Sequence, residues 1–127
     1  MDKQLVRAVH GHEGNTLNNG IKIDCDARDE NGGSHIYRLR VNAQGEHYSA
    51  EQEIEFQNGP LQEAGHNGIS DEALLAIVID RLEGFQTAQY RSRYNALAIT
   101  KLEEAMHWLN ARTTDRQKRG VEGTHKI

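Results

Sequence analysis

Three arginines near the end of the chain, Arg112, Arg116 and Arg119, are spaced by four and three residues, so on a helix their guanidinium groups rise on successive turns of one side. Such a stack is a set of forked donors suited to phosphate oxygens, which arginine holds bidentately where lysine offers a point charge. It equally suits a plain helix end in water, where positive charge is favoured by the helix dipole. Upstream lie Phe85, Tyr90 and Tyr94. Rings beside a cationic cluster can stack on a base while the arginines hold phosphates, or can serve only as core packing. Asn95, in the first turn of a predicted helix, either caps that helix or reads a polar edge of a ligand.

Other chemistry is harder to find. The seven histidines (His10, His12, His35, His47, His66, His107 and His125) show no HExxH spacing and no partner cysteines. His10 and His12 would point both rings to one side of a strand, which gives two ligands where zinc needs three or four. No metal or cofactor is expected. Cys25 falls at an inward strand position and reads as a small hydrophobe. No glycine-rich phosphate loop, serine elbow or base–nucleophile pair is present, so no catalytic residue is assigned.

The elements that must position these groups change character along the chain. Ile21, Ile23, Cys25 and Ala27 alternate with Lys22, Asp24, Asp26 and Arg28, the period of a strand with one buried face. Tyr37 to Val41 and Glu53 to Gln57 repeat the pattern, and Gln4 to His10 supplies a further strand. Asp29 to Ser34 and Asn42 to Gly45 carry the Asn and Gly of turns. After Asn58-Gly59-Pro60, an ordered connector runs to Gly68. Ser70 then caps a helix with Asp71 and Glu72 in its first turn, followed at helical spacing by Leu74, Leu75, Ile77, Val78, Leu82 and Phe85. A turn over residues 86–91 leads to a second helix with an apolar stripe of Tyr94, Leu97, Ala98, Leu102, Ala105, Met106 and Leu109. By steps of three and four that stripe continues into the three arginines, so the buried seam is expected to turn cationic. The fold predicted is α+β: an antiparallel β-sheet of four or five strands over residues 1–60, then a two-helix hairpin over residues 61–127.

At 127 residues this is the length of one domain, and 36% apolar with 27% charged residues is too rich in core formers for a disordered chain. The formal charge of −4 is uneven: residues 1–69 hold 6 basic and 11 acidic side chains, residues 70–127 hold 9 and 8. An acidic whole argues against long nucleic acid, while a confined basic end admits a small anion. No apolar run reaches the roughly 18 residues of a membrane span, and the start, Met1-Asp2-Lys3-Gln4-Leu5, lacks the apolar segment of a secretory signal. A cytoplasmic protein that touches no membrane is expected.

The helical half resembles a known family. The runs Asn67-Gly68-Ile69-Ser70-Asp71-Glu72-Ala73-Leu74-Leu75, Phe85-Gln86, Arg93-Tyr94-Asn95-Ala96-Leu97-Ala98-Ile99, Trp108-Leu109, Arg112-Thr113 and Arg119-Gly120-Val121-Glu122-Gly123-Thr124-His125 are similar to the hairpin module of phage-encoded nucleotide sponges. That module occurs in small phage proteins against CBASS immunity and in the first-described Thoeris anti-defence family. The β-rich segment ahead of it matches the Thoeris sponge better than the short, all-helical anti-CBASS one. The resemblance implies a protein of the host bacterial cytoplasm that sequesters glycocyclic ADP-ribose without cleaving it. It assigns Phe85 to adenine stacking, Asn95 to the base and ribose pocket, and Arg112 and Arg116 to the phosphates. It further implies binding of cyclic trinucleotides by some members, and a homo-oligomer: a dimer with pockets at its interface, and a hexamer as a trimer of dimers. A hydrolase of a cyclic nucleotide signal and a helical-hairpin protein-interaction module are the alternatives.

Overall fold

A computed structural model describes residues 4–42 and 47–127. The chain divides into two compact units, 1–58 and 59–127. The first holds β1 (Arg7–Val9), the short helix α1 (Thr16–Asn19), β2 (Ile21–Cys25), β3 (Ile36–Val41) and β4 (Ala50–Glu55). The strands form one antiparallel meander in the order β1-β2-β3-β4. The β1, β2 and β3 expectations hold to within a few residues. Residues 43–46 of the expected turn after β3 lie outside those described, and Asn42, at φ 55°, enters it in the left-handed region. His10 and His12 do not extend β1. The chain turns after Val9, His12 Nε2 donates to the Ile21 carbonyl at 2.6 Å, and His10 pairs with Glu13.

Alternation in the register explains the two faces of the sheet. Cys25 stands opposite Arg7 and Tyr37, and Ile23 opposite Val9 and Leu39. Cys25 has no exposed surface, as expected of an inward strand position, and Ile36 retains 3%. Tyr37 meets Phe56 edge to face, with ring centroids 5.5 Å apart. The opposite face is a charge lattice: Arg38 pairs with Asp24 at 3.5 Å and with Glu51 at 3.3 Å, and Arg40 lies 3.8 Å from the same Glu51.

The β2–β3 connection is built by two aspartates. Asp26 Oδ1 accepts from the backbone N–H groups of His35 and Ile36, and Asp29 Oδ1 from those of Asn31 and Gly33. His35 Nε2 donates to Asp29 Oδ2 at 2.7 Å. That bond first, then the Gly33 amide, holds the Asp29 carboxyl below its ordinary value. Gly32, at φ 91°, takes a backbone conformation open to glycine.

The second unit holds α2 (Leu61–Ala64), α3 (Asp71–Gln86) and α4 (Arg93–Lys118). Periodicity gave no hint of α2, which is a single turn inside the expected connector. Ser70 caps α3 as expected, its Oγ accepting from the Ala73 amide at 3.1 Å. Helix α4 is capped by Ser92, whose Oγ accepts from the amide of Asn95 at 3.0 Å, so Asn95 does not perform the capping role. The chain reversal is locked by Gln86: its Nε2 donates to the Ser92 carbonyl and its Oε1 accepts from the Ser92 amide, both at 2.9 Å.

The helices pack against each other along one seam, which is narrower and rotated from the expected stripe. Half-buried positions include Ala73, Leu74, Leu75, Ile79, Leu82 and Gln86 on α3, and Asn95, Ile99, Leu102, Ala105, Met106, Leu109, Thr113 and Arg116 on α4. Ile77, Val78 and Phe85 are exposed, as are Tyr94, Leu97 and Ala98. A pair of helices has only one mutual seam, so apolar residues beyond about a third of each circumference stay in solvent. Among the described residues, no helix is long and apolar enough to cross a membrane.

Ser92→Ala should lower unfolding stability by about 1 kcal/mol through the lost cap, and Gln86→Ala by about 1 to 2 kcal/mol through two lost hydrogen bonds, as read from denaturant midpoints. Because the folded Asp29 carboxyl titrates below its unfolded value, its stabilisation is present above the usual carboxylate range and lost as pH falls through the depressed value. Protection of the Asn31 and Gly33 amides, taken relative to the intrinsic exchange rate at each pH, should therefore fall in acid, and Asp29→Asn should abolish that dependence.

Candidate functional site

The residues singled out by type gather at the two ends of α4. At its N-terminal end the locked reversal displays Tyr90 and Tyr94, which are 70% and 83% exposed. Asn95 is half-buried, and its Nδ2 donates to the Tyr90 carbonyl at 3.4 Å. Phe85 stands on the last turn of α3, 38% exposed, with the Arg81 guanidinium 5.1 Å from its ring centroid. Sequence reasoning passed over Arg81. Its signal was the step of four residues to Phe85, which places a cation over an aromatic face.

The arginines occupy the other end, and they do not form one cationic seam. Arg112 is exposed and makes no ion pair among the described residues. Arg119 is at the C-cap of α4, its Nε donating to Asp115 Oδ2 at 3.0 Å and its Nη1 to the Ile127 carbonyl. Arg116 alone stays on the packed side, with its side chain 24% exposed. Its Nε donates to Glu122 Oε2 at 3.1 Å, and its Nη2 to the carbonyls of Val121 and Thr124, both at 3.0 Å.

These bonds fold residues 121–125 back as a strap. Gln62 pins it from α2, with its backbone amide on the Gly123 carbonyl at 3.0 Å and its Nε2 on the Glu122 carbonyl at 2.9 Å. Glu63 pairs with His125. Gly123 has φ 80°, and a Cβ there would lie 2.8 Å from Gln62 Cγ, so glycine is required twice over. Glu122 and Gln62 were invisible to periodicity because 60 residues separate them.

Asn95 and Arg112 are seventeen residues apart on one helix, a separation of about 25 Å at the usual rise per residue. One small nucleotide cannot touch both ends in a single chain. The outer face of α4 links them: Tyr94, Leu97, Lys101, Glu104, Trp108, Arg112 and Asp115 are all exposed and fall on one side by steps of three and four. Trp108 is 66% exposed. Beside it lies a shallow depression of about 440 Å³ lined by His107, Asn110, Ala111, Thr114, Asp115 and Lys118. A second cavity, of about 260 Å³, lies in the sheet unit, lined among others by His10, Glu13, Asn19, Lys22 and Asp24. None of the seven residues predicted to bind ligand lines either one.

A sheet unit followed by a two-helix hairpin that carries exposed rings at its turn and arginines at its far end defines a helical-hairpin protein of the α+β class. The chain belongs to the Acb2/Tad1 hairpin-domain family, whose sequence profile matches residues 49–114. It is also 56% identical over 73 residues to a protein called Thoeris anti-defense 1 from Bacillus phage SBSphiJ7. That similarity covers 58% of this chain and 51% of the phage protein, so the chain spans about half the length of the curated relative it matches. The profile takes in Phe85, Asn95 and Arg112 and ends before Arg116, Arg119 and the strap.

Since three donor bonds of Arg116 tie down the strap, Arg116→Ala should destabilise the hairpin unit by about 2 kcal/mol, the scale of hydrogen bonds from a charged donor. Arg112→Ala, with no such partners, should leave the thermal midpoint within about one degree of the parent; surface changes of this kind are near neutral. Paired melting curves by circular dichroism check both.

Proposed function

We propose that this chain is an anti-defence sponge that binds a small cyclic nucleotide signal, glycocyclic ADP-ribose in the first instance, and sequesters it without cleavage. The observation that carries the reading is the split of the ligand-type residues between the two ends of α4, joined by an outer face that complements itself. In an antiparallel pairing of two α4 helices centred on Trp108, Lys101 opposes Asp115, Glu104 opposes Arg112, and Ala105 opposes Ala111. The same register sets Tyr94 and Asn95 of one copy just past the C-terminal end of the other's α4, where Arg116 and Arg119 lie. Two composite sites then arise by two-fold symmetry, each with rings and an amide from one chain and guanidiniums from its partner.

The chemistry of each component suits the role. Phe85 offers a face to the adenine, Asn95 a donor and acceptor to the base and ribose, and Arg112 and Arg116 positive charge to the pyrophosphate, with Tyr90, Tyr94 and Arg119 bordering the cleft. Arg112, exposed in one chain, would be desolvated by a partner, which strengthens its hold on phosphate. Sequestration requires slow release rather than a nucleophile. The family and the relative's name support the anti-defence role. The reading places the protein in the host bacterial cytoplasm, as a dimer through α4 that associates further into a trimer of dimers, where cyclic trinucleotides would be a second ligand class.

Calorimetry with glycocyclic ADP-ribose, run with mass measurement in solution, tests this directly. One ligand per chain on a dimer or a multiple of it is expected, with intact ligand recovered after heat denaturation. Recovery of ADP-ribose would instead identify a hydrolase. Arg112→Ala should weaken binding by roughly 2 to 5 kcal/mol, the cost of truncating a desolvated charge pair. Asp115→Lys should dissociate the dimer, and adding Lys101→Asp should restore it; oligomerisation through another surface would be indifferent to both.

A further inference from the structure

The strap offers an inference that rests on the sponge reading and deepens it. Of the five N–H donors of Arg116, the Nε–H and both Nη2–H groups are already bonded to Glu122, Val121 and Thr124, while Nη1 has no partner among the described residues. The two forks that could grip a phosphate bidentately, Nε with Nη2 and Nη1 with Nη2, share Nη2, and both of its bonds go to the chain's own tail. Only Nη1 remains to be offered to a ligand.

Two of the three acceptors are backbone carbonyls of a strap pinned independently by Gln62 and by the Glu63–His125 pair. A ligand could not displace them without unseating residues 121–125. The third acceptor is a carboxylate, which fixes the guanidinium plane and neutralises the charge on the occupied edge. We infer that Glu122 is a positioning residue: with the strap carbonyls it locks Arg116 so that Nη1 alone donates to a ligand phosphate, beside the second guanidinium supplied by Arg112. A guanidinium held in advance loses less side-chain freedom on binding.

The test uses the full chain with glycocyclic ADP-ribose as the probe, in wild type, Glu122→Gln and Glu122→Ala. Glutamine keeps an acceptor on Nε and removes the charge; alanine removes both. The expected result is binding within about threefold of wild type for Glu122→Gln and about tenfold weaker for Glu122→Ala, which is the scale of one lost ordered side-chain contact. The ¹H–¹⁵N signal of Arg116 Nε should exchange slowly with water in wild type and Glu122→Gln and rapidly in Glu122→Ala, which reports the lock without ligand. Tighter binding by both variants would make Glu122 a competing internal anion and overturn the proposal. So would Glu122→Ala that binds like wild type although its Nε–H exchanges rapidly. A wild type that binds no probe overturns the sponge reading and the ligand role with it, and is told apart by the silence of the parent protein.

Discussion

The hairpin unit depends on a single seam of half-buried side chains and on the reciprocal hydrogen bonds by which Gln86 closes the turn at Ser92. No residue of α3 or α4 is fully buried, so hydrophobic burial is spread thinly over Leu75, Ile79 and Leu82 on one side and Ile99, Leu102, Met106 and Leu109 on the other. With burial so incomplete, directional bonds carry an unusual share of the specificity. The caps at Ser70 and Ser92, the Gln86 lock and the Arg116 strap each satisfy backbone groups that a helix end otherwise leaves to water. The seam runs through Ile99 and Met106 and leaves Tyr94, Leu97 and Trp108 facing solvent.

That arrangement separates two roles which a linear reading of the arginines had merged. Arg112 is a free charge on the outer face. Arg116 is a structural centre for the strap, with one nitrogen to spare. Arg119 ties the helix end to Asp115 and to the tail. Three residues of one type at helical spacing thus serve three functions, and the difference lies in acceptors contributed by residues 121–127.

Much of the architecture was legible because it rests on local period. Alternation around Ile23 and Leu39 marked the strands, and Ser70 followed by Asp71 and Glu72 marked the start of α3. What escaped was whatever depends on distant pairing or on rotation by a fraction of a turn. Ala98 and Ile99 are both apolar neighbours, and only packing against α3 determines which one turns inward. Asn95 was a fair candidate for a cap, yet Ser92, three residues earlier, took that position and left the Asn95 side chain to the Tyr90 carbonyl. Gln62 and Glu122 belong to one contact across 60 residues, which no window of sequence contains. The candidate site was legible as residue types and illegible as geometry, because its two halves are about 25 Å apart along α4.

Cys25 gives the sheet unit a built-in reporter. It is the only cysteine in the chain, it sits on the central strand pair, and its surface is wholly covered. A thiol reagent can reach it only when that cover opens, so the rate of alkylation measures how often this position of the sheet becomes exposed.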